Sequence, residues 1–267
     1  MMLKRMKNYL LVHRHLIIQL IKRETFSRYK GSYLGLLWTV LTPLLMLVVY
    51  TVVFSEIFQS RWHSDQTNKL EFAIIVFCGL ATFNIFSEVV SKSPSLILSN
   101  VNYVKKVVFP LEILSLVAIG AALVNAAINY SLIILFALLF MNTLNWTIVL
   151  LPFVLLPIIL FSLGMSWFLS SLGVYLRDIG HVIGIIVQAL MLLSPIFYSL
   201  DIIPNNLKWF YYINPIVYFV EDARKILIWG VIPDIGVYII QVIIALLVCI
   251  FGLFWFIKTK KGFADVL

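Results

Sequence analysis

The 64 residues from 113 to 176 contain no Asp, Glu, Lys or Arg and consist mainly of Leu, Ile, Val, Ala and Phe. About 20 apolar residues cross the hydrocarbon core of a bilayer, so a run of this length predicts two spans. The polar turn between them is predicted at residues 141–146. The chain is therefore expected to be an integral membrane protein. Its 12% content of charged residues agrees, because soluble domains carry about 25%.

Four further apolar windows bring the number of predicted spans to six. Each window is continuously apolar, which favours a helix, because a membrane barrel strand alternates between apolar and polar residues. The predicted fold class is an all-α polytopic membrane protein, with residues 1–267 forming a single transmembrane domain. The predicted spans cover residues 33–58, 71–91, 111–140, 147–172, 179–199 and 235–257.

The Lys and Arg residues predict the orientation of these spans. Fifteen of the 20 lie in the amino-terminal segment, the loops after the second and fourth spans, and the tail. Positively charged loops stay in the cytoplasm, so both termini are expected there. The net charge of +8 does not indicate nucleic acid, because the cations lie at predicted membrane edges rather than on one soluble face.

Residues 8–23 are predicted to form an amphipathic helix that lies along the membrane surface. Polar residues such as His15 and Gln19 fall on one side of it, and apolar residues such as Leu16 and Leu20 fall on the other. Two interpretations remain open. The helix could be a simple membrane anchor, or it could contact a partner or the headgroups of the substrate.

The next block carries a specific resemblance. Residues 28–38 read Arg-Tyr-Lys-Gly-Ser-Tyr-Leu-Gly-Leu-Leu-Trp, and Pro43 follows. This pattern resembles the first span of permeases of type-2 ABC exporters that move polysaccharides, such as O-antigen and teichoic acid exporters. Two later blocks, residues 99–112 and 175–181, resemble the cytoplasmic loops of that family. The resemblance covers nearly the whole chain in order.

Residues of these two loops can be interpreted without the family. Lys105 and Lys106 beside Tyr103 would form a compact positive site for a lipid phosphate or for acidic residues of a docked subunit. Alternatively, the two lysines could have no binding role and could simply follow the positive-inside rule. Arg177 and Asp178 are expected to form a local ion pair at the start of the next helix. The candidates for docking a motor subunit are Asn100, Tyr103, Arg177 and Asp178.

Between the fifth and sixth spans the chain stays apolar and aromatic but is interrupted by prolines. The pieces in residues 200–233 are too short to span and predict short helices that re-enter the outer leaflet. The aromatic residues could form an interfacial belt, or they could offer flat faces to pyranose rings. The resemblance implies that this segment is a periplasmic gate. The candidate aromatic residues are Phe197, Tyr198, Trp209, Tyr211, Tyr212 and Tyr218.

Five polar residues inside the predicted spans are expected to face the protein interior, because polar groups in a membrane need partners. Asn125 and Asn129 share one helix face. Packing hydrogen bonds between helices and pore lining are both open as their roles. The five residues are Glu88, Asn125, Asn129, Gln188 and Gln241.

The sequence holds no ATP-binding loop, because it lacks even one Gly-Lys dipeptide. An ATP-driven exporter would therefore need a motor on another chain. The resemblance implies two copies of this chain with two ATP-binding cassette subunits that carry ATP and Mg, and no cofactor in this chain. It also implies the bacterial inner membrane and a substrate glycan linked to polyprenyl diphosphate, with O-antigen preferred. By the resemblance, either the lipid diphosphate or the motor would then meet the candidates Arg28, Tyr29, Lys30, Lys105 and Lys106.

Several alternatives to O-antigen export remain. Within the same family the substrate could be capsule, teichoic acid, a small lipid or a drug. From other classes, the chain could be a membrane enzyme of lipid-linked sugar metabolism or a motor-free secondary carrier. An enzyme is expected to show converging acidic or basic residues in a large loop, and a carrier is expected to show internal repeats. The sequence shows neither feature.

Overall fold

The computed structural model describes residues 2–27, 31–53, 69–105, 109–141 and 144–267. Within these ranges the chain forms α-helices, short 3₁₀ and π turns, and no β-strand. This agrees with the predicted all-α class. The helices are α1 Met2–Ser27, α2 Trp38–Thr51, α3 Lys69–Lys92, α4 Val101–Lys105, α5 Ile113–Phe136, α6 Leu151–Val154, α7 Leu156–Tyr175, α8 Ile179–Leu193, α9 Lys208–Ile213, α10 Pro215–Arg224, α11 Ile235–Thr259 and α12 Phe263–Val266.

Four helical segments in the described part of the chain are long and apolar enough to cross a membrane. They are Leu70–Ser95, Ile113–Met141, Trp146–Tyr175 and Ile235–Val266, built around α3, α5, α7 and α11. Four of the six predicted spans are thus supported by length and composition.

The remaining two predicted spans correspond to α2 and α8, which are shorter apolar helices. α8 ends at Leu193, and Ser194 is extended, with φ −101° and ψ 149°. The cause is Pro195, because a residue before proline is pushed out of the helical region. The helix therefore ends at Leu193, before the predicted end of that span at residue 199. The predicted end of the first span at residue 58 lies outside the described residues.

α3 lies at the centre of the bundle and contacts α2, α5, α7, α8 and α10. Most of its apolar length is buried inside the chain itself. A helix that is apolar on all sides is expected in such a position, because every face then has a neighbour to pack against.

α7 and α11 cross with their backbones in contact. A Cβ atom added to Gly252 would lie 2.0 Å from the carbonyl oxygen of Gly164, and one added to Gly164 would lie 2.5 Å from the carbonyl oxygen of Val248. Small residues permit such close approach between membrane helices, where packing replaces the hydrophobic effect as the driving force. Further along, the hydroxyls of Ser171 and Thr259 are 2.6 Å apart. The pair therefore forms a tightly joined unit.

Both terminal segments lie at one end of the bundle, which we call the inner end. There α3, α7 and α11 finish, and α5 and α8 begin. Lys92 of α3 pairs with Glu24 of α1 at 3.1 Å, and Lys260 after α11 pairs with Glu112 before α5. The opposite end, where α8 finishes and α11 begins, is the outer end.

α1 is held at the inner end by an apolar face as well as by charge. Leu20 is buried against Ile113 and Val117 of α5. The helices approach closely at Gly120, where an added Cβ would lie 2.3 Å from the Ile21 side chain. The predicted helix over residues 8–23 thus exists within a longer helix, and its apolar side packs on the protein.

Candidate functional site

The candidate site is the segment between α8 and α11 at the outer end, which we call the outer hairpin (residues 194–234). After the bend at Pro195 it contains a 3₁₀ turn, α9 and α10, and α10 continues as a π turn, Lys225–Trp229. The left-handed Gly230, with φ +66°, ends this turn. Short helices therefore occur in the segment for which they were predicted, although the membrane depth of the hairpin stays a prediction.

Arg224 anchors α10 from inside the protein. Its side chain is fully buried and donates from Nε to the carbonyl oxygen of Ile75 in α3 at 3.2 Å. Nη1 donates to the carbonyl oxygen of Pro195 at 2.6 Å, and Nη2 donates to that of Ile196 at 2.8 Å. One guanidinium thus joins α10, α3 and the bend after α8.

The charge of Arg224 is balanced by Glu221, whose Oε1 lies 2.7 Å from Nη1. Removing one partner of a buried ion pair typically costs about 3–5 kcal/mol, because the other charge stays buried without compensation. The pair therefore restricts the hairpin to one position. Sequence reasoning missed this role of Arg224, because its partners Ile75 and Pro195 are distant in the chain.

A second polar link joins α10 to α11. Asp222, also buried, accepts from Nζ of Lys225 at 2.9 Å and from Nε2 of Gln241 at 2.7 Å. The predicted interior position of Gln241 is confirmed. Asn214 ties the start of α10, since its side chain accepts from the backbone N–H of Ile216 and donates to Oγ of Ser194 at 3.0 Å.

The aromatic side chains predicted for the gate fall into two groups. Phe197 is only 2% exposed and belongs to the core, so it offers no face to a polymer. Tyr198 donates to the carbonyl oxygen of Leu192 at 2.8 Å and lies 3.0 Å from the hydroxyl of Tyr211.

The second group is exposed. Trp209 is 60% exposed and Tyr212 is 62% exposed, both on α9. The Trp209 ring packs edge-on against Phe210, and Phe210 packs edge-on against Tyr211, each with centroids 6.0 Å apart. The hydroxyl of Tyr218 donates to the carbonyl oxygen of Tyr212 at 3.0 Å. Therefore α9 presents aromatic faces while its backbone and neighbouring rings are held in place.

At the inner end, several of the predicted docking and lipid-phosphate residues make structural contacts. The ring of Tyr103 stacks on Phe109 at 4.4 Å, and its hydroxyl accepts from Nη1 of Arg23 at 3.1 Å. Asn100 donates to the carbonyl oxygen of Leu96. Lys105 donates from Nζ to the carbonyl oxygen of Leu267 at 2.5 Å. The other candidates for the lipid phosphate, Arg28, Tyr29, Lys30 and Lys106, lie outside the described residues.

The predicted ion pair between Arg177 and Asp178 is not formed. Asp178 is the N-cap residue of α8, but its side chain makes no capping hydrogen bond. Both side chains are exposed to solvent in the described structure, where an ion pair gains little over hydration. Arg177 and Asp178 are thus accessible at the inner end.

Polar residues within the spans also divide into two groups. Oε2 of Glu88 accepts from Nδ2 of Asn125 at 2.9 Å, which links α3 to α5. Glu88, Asn125 and Asn129 all face one cavity inside the bundle. Gln188, by contrast, is exposed on α8. The prediction of an interior position was therefore wrong for Gln188 within a single chain, because α8 packs through other residues, such as Ile183 and Val187.

Comparison with known proteins agrees with this architecture. The O-antigen export system permease protein RfbA of Myxococcus xanthus is 28% identical over 83% of this chain and 84% of its own length. A protein of the same name from Klebsiella pneumoniae is 23% identical over 94% of this chain and 95% of its own length. The polysialic acid transport protein KpsM of Escherichia coli is 28% identical over 80% of this chain and 82% of its own length.

A family model described as ABC-2 type transporter matches residues 15–228. The match runs from α1 through the central helices and into the π turn that follows α10. It thus includes the bundle up to α8 and most of the outer hairpin, and it ends before α11. Since this family model covers most of the chain, the protein belongs to the ABC-2 type transporter family.

Proposed function

We propose that this chain is the membrane-spanning subunit of an ATP-driven exporter of polysaccharide, in the first place lipopolysaccharide O-antigen carried on polyprenyl diphosphate. The observation that carries the proposal is the match to relatives named as O-antigen export permeases over as much as 94% of the chain. Proteins of one family can share a fold and still differ in function. The proposed substrate is therefore inferred from the similarity to these named relatives and not from the fold.

The outer hairpin supports export of a glycan. The exposed residues Trp209 and Tyr212 offer flat apolar faces on α9. Hydrogen bonds of Arg224 and Asn214 hold the rest of the hairpin and thereby hold α9 indirectly. Aromatic rings contact the apolar faces of sugar rings without requiring one particular sugar, so a polymer of repeating units can move past them. The hairpin would then act as a gate at the periplasmic surface.

The motor of the exporter would be two ATP-binding cassette subunits that hold ATP and Mg, docked on two copies of this chain. The inner end supports this assignment, since the accessible residues Arg177 and Asp178 lie between the end of α7 and the start of α8. The basic residues of that end would face the cytoplasm of a bacterium, with the chain in the inner membrane and both termini cytoplasmic.

A second candidate substrate is polysialic acid or a related capsule glycan. The relative named as a polysialic acid transport protein favours it, being 28% identical over 80% of this chain. The two substrates share the requirement for a long hydrophilic polymer to cross the membrane. They differ in charge, so a chemical analysis of the accumulated polymer distinguishes them.

The test combines a purification with a deletion. The chain is purified in mild detergent together with the product of the neighbouring gene, and the surface glycan of a deletion strain is measured. We expect a stable complex with an ATPase, loss of the surface glycan, and accumulation of lipid-linked polymer inside the cell. A lone chain together with a normal surface glycan would contradict the proposal and favour the carrier or enzyme alternatives.

A further inference from the structure

A cavity of about 380 Å³ with polar and apolar lining residues lies between α2, α3 and α5. Small-molecule sites have volumes of about 300–1,000 Å³, so this cavity can hold a small ligand. Apolar residues such as Leu80 and Ala126 form part of its lining. The polar part includes the side chains of Trp38, Thr42, Asn84, Glu88, Asn125 and Asn129, together with the hydroxyl residues Thr39 and Ser87.

Asn129 is the most informative of these groups. Its residue is only 8% exposed, and it lines the cavity. Among the described residues, the side-chain amides of Asn129 and Asn84 have no hydrogen-bond partner in the protein, whereas Nδ2 of Asn125 donates to Oε2 of Glu88. Buried amide groups are nearly always hydrogen-bonded. A ligand that both donates and accepts hydrogen bonds would satisfy Asn129.

The composition of the cavity restricts the chemistry of that ligand. None of the described residues that line it is Lys or Arg, so an anionic phosphate would be buried without a counter-charge. Glu88 is the single carboxylate among the described lining residues, and one carboxylate is too few for a bare metal ion. Amides can donate and accept at once, as sugar hydroxyls do. The chemistry therefore matches a neutral, hydroxyl-rich group.

Trp38 adds an apolar face to these polar groups. Its indole Nε1 donates to Oγ of Ser32 at 2.9 Å, which fixes the orientation of the ring. A rigid aromatic ring next to amide groups can pack on the C–H face of a pyranose while the amides bind its hydroxyls. Thr42 and Asn84, both exposed, mark the opening of the cavity.

We propose that this cavity binds a short saccharide segment of the transported glycan inside the membrane domain, with Asn129 as the principal hydrogen-bonding group. This inference rests on the proposed function. The cavity would be a second contact for the polymer, separate from the exposed aromatic residues of the outer hairpin. The bound segment could belong to the end of the polymer that is linked to the lipid, or to a part of the polymer far from the lipid.

The test is photo-cross-linking in intact cells with the complete transporter. Thr42→p-benzoylphenylalanine places the reactive group at the opening, and the same substitution at Val124, an exposed residue of α5 outside the cavity lining, is the control. After irradiation the denatured chain is purified and stained for glycan by periodate oxidation. We expect glycan adducts at position 42 well above those at position 124.

A second substitution tests the role of the amide. Asn129→Leu removes the amide that would bind the saccharide, at nearly constant volume. It should lower the adduct at position 42 by about three- to tenfold, the factor expected for one lost hydrogen bond. Ser131→Leu, on the exposed side of the same helix, should leave the adduct unchanged. If Asn129→Leu fails to accumulate, Asn84→Leu at the exposed opening provides the same test.

Mass spectrometry of the adduct identifies the source of the saccharide, because a lipid-linked segment retains the diphosphate and the polyprenyl chain. Either source supports the inference. Cross-links only to phospholipid or to a second copy of the chain would overturn it, as would an adduct that Asn129→Leu and Asn84→Leu both leave unchanged.

The same cross-linker at Tyr212 separates this inference from the proposed function. Glycan adducts at position 212 but not at position 42 would overturn the cavity site and leave polysaccharide export standing. An absence of adducts at both positions, with normal surface glycan in the deletion strain, would overturn both.

Discussion

The guanidinium of Arg224 occupies the space beside Gly79 that a larger residue would need. A Cβ atom added to Gly79 would lie 2.5 Å from Nη2 of Arg224. Arg224 cannot easily move aside, because three backbone carbonyl groups and Glu221 hold it. Gly79 of α3 therefore leaves free the space that the buried guanidinium of Arg224 in α10 occupies.

We expect Arg224→Ala to destabilise the protein by about 3–5 kcal/mol, because Glu221 and three carbonyl groups would lose their partner inside the protein. The measurement is thermal unfolding of the purified chain in detergent. Lys208→Ala, at the start of the exposed α9, is the control and should stay within about 0.5 kcal/mol of the original. Equal effects of the two substitutions would contradict the anchoring role.

Gly79→Ala should destabilise the original protein by about 1–3 kcal/mol through overpacking against Arg224. The same substitution in the Arg224→Ala background should cost clearly less, because the obstructing guanidinium is gone. The two single variants and the double variant form a cycle that measures this coupling, with about 0.5 kcal/mol as the limit for independent sites. Additive effects would show that the two residues are not coupled.

Gly252→Ala should separate α7 from α11 and destabilise the chain by more than about 3 kcal/mol, since the added methyl group would meet backbone atoms of Gly164 that cannot rotate away. Gly184→Ala in α8 is the matched control, because a Cβ there meets nothing within 4 Å. The yield of monodisperse protein and its unfolding temperature are the measurements. Comparable losses at both positions would argue against a specific contact between α7 and α11.

Replacing Trp209 and Tyr212 together by Ala should reduce surface glycan several-fold while the amount of chain in the membrane stays normal, because both rings are exposed and support little of the core. Phe197→Ala is the contrasting variant. Burial of that ring predicts a loss of about 3–5 kcal/mol in stability and therefore a lower amount of protein. Normal export with both exposed rings removed would assign them to an interfacial belt.

Much of the helical framework was predictable from residue type alone. Residues 113–176 contain no charge, and a backbone in a hydrocarbon environment must satisfy its own hydrogen bonds, so long helices follow. Pro195 ended α8 earlier than its apolar pattern suggested, because the pattern carries no information about where the helix stops. The sequence predicted only that Glu88 and Asn125 face the interior. It did not predict that they pair, since the packing of the helices decides which residues of different helices meet.

The sequence by itself determined that this protein is a helical membrane protein with an amphipathic amino-terminal helix and a broken segment before the last span. The physical reason is that hydrophobicity, helix length and proline position act locally. Only the tertiary structure decided that Arg224 is buried against Ile75, 149 residues away in the chain, and that Gly79 makes room for it. A buried charge is tolerated only when distant groups converge on it, and that convergence is a property of the folded bundle.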